Sequence, residues 1–375
     1  MIISFKNPRQ TFKALGRVAR AIDSRDIILY KWNRDSICTV LVGNKTRIWT
    51  IAPATIEGEA SIRMPSKEFL SSLCSIPANK KIRIITEDAK ITLEAETQSI
   101  ETIEATPIEV PSRPKFNPTH KFKNGEALSN TIASVINWTP KTNQDNSQVH
   151  TQVNLHICEW VELYTTHERF AAKAILPSIE YNFQHSGIFH KQIETLVDLA
   201  QLKSIMTLCY IKTPTAKMYA ENSLIFQLFN KKATHLIELD ANLLLPYGRN
   251  SYPDVKRSFE KIRENQYASK VTCSRSHILD ILDLFKAELV TLCVKSDVIT
   301  FEHTNKKAYC PTTRTVPRNN NIITVSTNSL IKALKEIDDI YVDICVGDED
   351  DTLFVSGRLQ SYLIPANPYN EEGAR

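Results

Sequence analysis

The same order of elements is written three times along this chain, and that repetition restricts the folds open to it. A strand-like segment leads into an amphipathic helix; further strands, a second helix and more strands follow. Apolar spacing predicts helices over about 8–22 and 66–75, about 124–138 and 190–201, and about 274–287 and 327–337. The first helices recur at intervals of roughly 115–150 residues, too long for a stacked solenoid repeat. A chain of 375 residues exceeds one compact core, and a third of it is about 125 residues, an ordinary domain length.

Strands are expected at 82–86, 90–95, 153–163, 223–229, 289–294 and 341–346, all rich in β-branched or aromatic residues. The class is therefore α+β. Pro107, Pro111, Pro114 and Pro118 punctuate a stretch that reads as a linker, and a second change follows Tyr252-Pro253, where the charged stretch 254–264 begins. These breaks place three domains at 1–117, 118–256 and 257–375.

The helix faces are informative. Phe12, Leu15, Ala19 and Ile22 form one apolar stripe, while Arg9, Lys13, Arg17 and Arg20 fall within an arc of about 80° elsewhere. Solvated faces ordinarily mix signs; four cations without an anion point to a phosphate-facing surface. Leu128, Ile132 and Val135 make the core stripe of another helix, as do Ile278, Ile281, Leu282 and Phe285, and Leu330, Ala333, Leu334 and Ile337. Lys67, Lys191, Arg275, Lys332 and Lys335 are each ordinary surface charges, and gain meaning together only if all six helices face one space.

Much enzyme chemistry is excluded by what is missing. Only nine glycines occur, the nearest two (Gly347 and Gly357) ten residues apart, so the common phosphate-cradling loops cannot be written. No zinc-protease helix or nucleophile elbow is present. The eight cysteines are dispersed, with no C-x-x-C pair; Cys38, Cys209, Cys293 and Cys345 sit in apolar, strand-like runs and read as small buried hydrophobes, and a reducing cytoplasm fits best. Asp348, Asp350 and Asp351 lie in an acidic run that is in principle metal-binding but reads better as a solvated turn. No metal or cofactor is expected. A formal charge of +4 is too mild to identify a partner, and no apolar run is long enough for a membrane span. The acid-free first 22 residues are similar in composition to a transit peptide, yet Met1–Phe5 reads as a strand running straight into a helix.

Several segments resemble the β subunit of bacterial DNA polymerase III, the DNA sliding clamp. Met64-Pro65-Ser66-Lys67-Glu68-Phe69 through Ile76-Pro77 resembles the second helix of that family's first domain. Leu163-Tyr164-Thr165-Thr166-His167-Glu168-Arg169-Phe170-Ala171 resembles its A-T-D-G-H-R-L-A strand and turn. Ser251-Tyr252-Pro253-Asp254-Val255-Lys256-Arg257 resembles its R-F-P-D-Y-R-R segment, and Ser361-Tyr362-Leu363-Ile364-Pro365 its terminal strand. Four weak matches in the right order, on a threefold repeat of the right length, make the likeness specific.

The resemblance implies three like domains with two helices and antiparallel sheets each. Two chains would join head to tail in a ring lined by helices, encircling duplex DNA without sequence preference and without catalysis. DNA-facing positions would be Arg9, Lys13, Arg17, Arg20, Arg25, Lys67, Lys191, Arg275 and Lys332. The implied partners are the replicative polymerase, the clamp loader and repair factors, whose peptides would enter a pocket at Thr165, Arg169, Phe170, Pro253, Arg257, Leu363, Ile364 and Pro365, with His150 on the preceding strand. The implied location is the cytoplasm, at the nucleoid. An alternative is a clamp-fold adaptor that binds peptides without encircling DNA. Departures concentrate in the pocket: Thr166-His167-Glu168 replaces the family's Asp-Gly-His turn, and the chain runs on past Pro365 to Arg375. The loop after the first helix of the third domain is also short.

Overall fold

The computed structural model describes residues 1–139, 152–181, 193–239, 254–263, 269–346 and 352–368, apart from 7, 44, 60, 78–80, 88, 96–97, 117, 159, 168–169, 177, 210–214, 221–223, 230–232, 296 and 318–320. The described helices are α1 (Pro8–Ala21), α2 (Ser66–Ser75), α3 (Gly125–Ile136), α4 (Leu199–Cys209), α5 (Val255–Arg263), α6 (Arg275–Phe285) and α7 (Thr327–Glu336). The chain divides into two compact units, Met1–Ile132 with Leu155–Val161 and Pro177–Tyr247, and Ala133–Asn154 with Glu162–Leu176 and Gly248–Arg375.

Unit 1 holds two sheets. One runs in the order Thr55–Glu57, Ile2–Lys6, Lys81–Glu87, Lys90–Ala95, Gln98–Glu104. The other has ten strands, with Thr46–Pro53 paired antiparallel to Thr234–Leu239 at its middle. Lys81–Glu87 and Lys90–Ala95 begin with buried and outward residues in alternation, so a slip of one residue would turn the buried face outward, whereas central strands such as Ser36–Val42 are buried along nearly their whole length. In α1, Phe12, Leu15, Val18, Ala19 and Ile22 are buried, and Phe12 meets Phe69 of α2 edge to face at 6.4 Å. The proline-punctuated linker is also tied down: the Arg113 guanidinium lies 4.3 Å over the Trp32 ring, and Phe116 packs against Tyr219.

Unit 2 is organised by one strand, Gln360–Pro368. Its first residues pair with Phe170–Leu176, its middle with Thr352–Ser356, and Ala366, Asn367 and Pro368 with Val325, Thr324 and Ile323. The residues beyond Pro365 therefore extend the sheet as far as they are described. α6 and α7 cover a core of Val290, Leu292, Ile299, Phe301, Leu330, Leu334, Tyr362 and Ile364 among others.

Two expectations need correction, and one helix is added. The helix expected at 190–201 begins only at Leu199; Ile193–Asp198 is a strand. The Gln201 side chain accepts from the Asp198 backbone N–H at 3.0 Å, so the helix start lies at Asp198 and the preceding residues are released to alternate. The strand expected at 153–163 is two strands, Gln152–Ile157 and Val161–His167, separated where Cys158 N–H donates to the Trp160 carbonyl at 3.1 Å. The charged stretch 254–264 is helical over Val255–Arg263, because Asp254 Oδ1 accepts from Arg257 N–H at 3.1 Å and caps it. The acidic run at 348–351 lies outside the described residues.

Gly43 is required by a close approach. A Cβ there would stand 2.6 Å from the Ile22 carbonyl oxygen and 3.0 Å from the Ile22 Cβ. Gly43→Ala is expected to lower unfolding stability by about 1–3 kcal/mol, measured as a shift in urea midpoint at constant slope. An unshifted midpoint would show that the hairpin moves freely away from α1.

Candidate functional surfaces

The basic face of α1 is realised. Lys13, Arg17 and Arg20 are exposed opposite the buried stripe, and the helix contains no acidic residue. Arg25 and Lys67 are also exposed. Arg9 falls within α1 but its side chain lies outside the described residues, as does Lys191 altogether.

Two other expected DNA-facing cations have internal work. One Arg275 Nη donates to the Ile337 carbonyl and to the Leu334 carbonyl at 3.4 Å, satisfying orphan acceptors at the C-terminus of α7. Lys332 Nζ donates to the Asn137 carbonyl at 2.6 Å and stands 4.6 Å over the Trp138 ring. Neither side chain is held out as an unengaged surface charge.

The expected pocket residues fall on two faces of one sheet. Ala172 pairs with Tyr362 and Ala171 with Leu363, so Tyr362 and Ile364 project together to one side and Leu363 to the other. Ile364 is 0% exposed in the unit 2 core. Phe170 lies on that face, half-buried, with its ring centroid 5.9 Å from Trp138, which in turn lies 5.0 Å from Tyr362. Thr165 is fully buried, its hydroxyl 3.2 Å from that of Thr139. On the opposite face Leu363 neighbours Phe354, which packs against Phe259 of α5. Arg257 is exposed on the same helix, and Pro365 is half-buried opposite Thr352. His150, Arg169 and Pro253 lie outside the described residues.

Sequence comparison finds no matching family model and no matching characterised relative. Comparison of structures does. The β clamp of Helicobacter pylori bound to a DNA ligase peptide is similar with a TM-score of 0.69 at 13% identity, over 98% of this chain and 100% of that one. The β subunit from the DNA polymerase of Streptococcus pyogenes gives 0.70 at 13% identity over the same shares. The DNA polymerase sliding clamp of Pseudomonas aeruginosa gives 0.68 at 12% identity, again over 98% and 100%. The chain has the sliding-clamp fold.

Within this clamp fold, sequence reading missed a buried charged group beside the expected pocket. Lys173 Nζ donates to Glu162 Oε1 at 2.8 Å, and the Tyr164 hydroxyl donates to Glu162 Oε2 at 2.8 Å. The Lys173 ammonium also stands 5.1 Å over the Tyr164 ring, and Phe259 packs against that ring at 6.0 Å. The group thus ties Val161–His167 and Phe170–Leu176 to α5, and so to Arg257. No local spacing signals it, because Glu162 and Lys173 meet only through strand pairing. Trp138 was likewise invisible; a single tryptophan after a helix reveals no partner. Among the described residues, no group of three or more His, Cys, Asp or Glu is placed to hold a metal ion, and no helix is long and apolar enough to cross a membrane.

Burial pushes the Glu162 carboxyl upward, but the Lys173 ammonium and the Tyr164 hydroxyl outweigh it and hold it below the ordinary 4.5. A carboxyl depressed in the folded state stabilises fully above its unfolded value. That contribution disappears as pH falls from 4.5 through the depressed value. Glu162→Gln should therefore flatten the acid limb of a plot of urea midpoint against pH; an unchanged limb contradicts the assignment. Lys173→Met, which strands the carboxylate, should destabilise by about 3 kcal/mol at neutral pH.

Proposed function

We propose that the chain is a DNA sliding clamp, a ring-shaped processivity factor that encircles duplex DNA and tethers a replicative polymerase and other clamp-binding proteins. The observation that carries this reading is the clamp fold along 98% of the chain together with an acid-free helix face bearing Lys13, Arg17 and Arg20. In this reading the three domains are 1–117, 118–256 and 257–375, and the protein does no chemistry. A closed ring is retained by topology, so its contacts need only be loose and sequence-independent. Arg9, Arg25, Lys67 and Lys191 would supplement α1, attracting phosphates without reading bases.

Closure requires a second copy, and two strand edges suit it. Gln98–Glu104 ends its sheet and carries Glu101 and Glu104. Within Lys306–Pro317, residues 306–311 pair with Val298–His303 on one side, while Ser269–Ser274 pairs with the later half. Lys306 and Tyr309 are exposed on that open stretch, and Lys307, also exposed, is ion-paired with Glu302. An acidic edge against a basic one favours a head-to-tail antiparallel pairing over self-pairing of either.

The Helicobacter pylori clamp holds a DNA ligase peptide. By analogy a partner peptide would sit at His150, Thr165, Arg169, Phe170, Pro253, Arg257, Leu363, Ile364 and Pro365. The packing of Trp138 against Phe170, and of Phe259 against Phe354 on the Leu363 face, would set the shape of the anchors that fit.

Light scattering should give about 85 kDa, twice the 42.6 kDa chain, and Lys306→Glu with Lys307→Glu should give the monomer mass. A strict monomer at micromolar concentration, with peptide binding intact, would favour a clamp-fold adaptor instead.

A further inference from the structure

Within unit 1 the proline-punctuated linker crosses one face of the ten-stranded sheet. It leaves Thr106–Pro107, which pairs with Ser61–Pro65, and re-enters at His120–Phe122, which pairs with Thr215–Ala220, eight strand spacings further along the sheet. Register builds the face it crosses: Tyr30 stands opposite Cys38, Val40 opposite Trp49, Trp49 opposite Leu236, and Tyr219 opposite Ile225. These side chains form one apolar cluster, with Trp32 and Phe116 packed against it.

The linker meets this face as a bound peptide would. The Arg113 guanidinium lies 4.3 Å over the Trp32 ring and donates to the Trp32 carbonyl, and the Phe116 ring stands edge-on to Tyr219 at 6.4 Å. Ile108 N–H donates to the Ser61 carbonyl and Thr119 N–H to the Met218 carbonyl; between them, among the described residues, no backbone hydrogen bond ties the linker to the sheet. Pro111 and Pro114 favour an extended course, while Val110, Ser112 and Lys115 are exposed. In the cluster itself Trp49 is 2% exposed, and its indole N–H has no acceptor among the described residues, a donor that a carbonyl of an extended ligand would satisfy.

We propose that this face is a peptide-binding groove for an extended, proline-containing segment with an arginine and, three residues later, an aromatic side chain, and that the linker fills it in cis as an internal competitor. Aromatic surfaces take such segments at low entropic cost, because the proline backbone is already extended. The linker is free to give way. Its span is about 38 Å along the sheet, against about 45 Å of fully extended chain, so it bows outward by about 12 Å without breaking the ladder at either end. That clearance exceeds the roughly 10 Å of one packed layer. The inference concerns unit 1 alone and does not require that the protein encircle DNA.

Fluorescence anisotropy of a labelled peptide copying residues 110–116, titrated with the full chain, tests the groove. The wild-type protein should bind it weakly, since the tethered linker competes. Arg113→Ala with Phe116→Ala removes the competitor's anchors and should tighten binding about tenfold or more. Adding Trp32→Ala and Tyr219→Ala should abolish that gain. A peptide with alanine in place of the arginine and the phenylalanine should bind no form, and Lys115→Ala alone should leave the wild-type value unchanged. A protease site inserted after Pro114 gives a second route that does not depend on the folding of the double variant. Cutting the folded protein there separates the two anchors and should produce a gain of the same sign. Unchanged affinity after both the substitution and the cut, an equal gain for the alanine peptide, or a gain that survives loss of Trp32 and Tyr219 overturns the proposal and leaves the linker a structural strap.

Discussion

The sheet of unit 2 closes on the backbone pairing of Gln360–Pro368. A single extended segment satisfies hydrogen bonds from Phe170–Leu176, Thr352–Ser356 and Asn321–Ser326, and so closes a sheet whose last two members are otherwise joined only through five intervening strands. Buried backbone groups left without such a partner would each carry a desolvation cost, which makes the segment hard to remodel. Its alternation then assigns side chains: Tyr362 and Ile364 go to the core with α7, and Leu363 to the face under α5.

This strand explains why the candidate pocket looks as it does. Phe170, Trp138 and Tyr362 fill one side with aromatic surface, and Phe259 and Phe354 fill the other. The Glu162–Lys173–Tyr164 group lies beneath α5 and carries charge into a place where unpaired charge is costly. Such a group fixes geometry more than it adds stability, and what it fixes here is the helix bearing Arg257.

The charged surfaces obey a different economy. On α1 the cations have no local acid to neutralise them, whereas Arg275 and Lys332 are absorbed by carbonyls and an aromatic ring. A count of lysines and arginines on helices therefore does not tell which side chains the fold holds in place. The distinction lies in whether a long side chain reaches an orphan acceptor, which depends on the neighbouring element.

Much of the architecture was legible in the sequence because helical and strand periodicities are local. α2 and the strands Lys90–Ala95, Leu289–Val294 and Tyr341–Val346 have the expected bounds, and the stripe on α1 is the one seen buried. The start of α4 was misplaced because Ile193–Asp198 and the helix after it are both apolar, and only the Gln201 contact separates them. The sequence by itself determined the class, the order of elements and the acid-free face of α1. Only the tertiary structure decided which cations reach a carbonyl on another element, which side of the sheet each described pocket residue faces, and that Glu162 meets Lys173. Those outcomes depend on strand register and on contacts between residues far apart in the chain, and no local pattern encodes them.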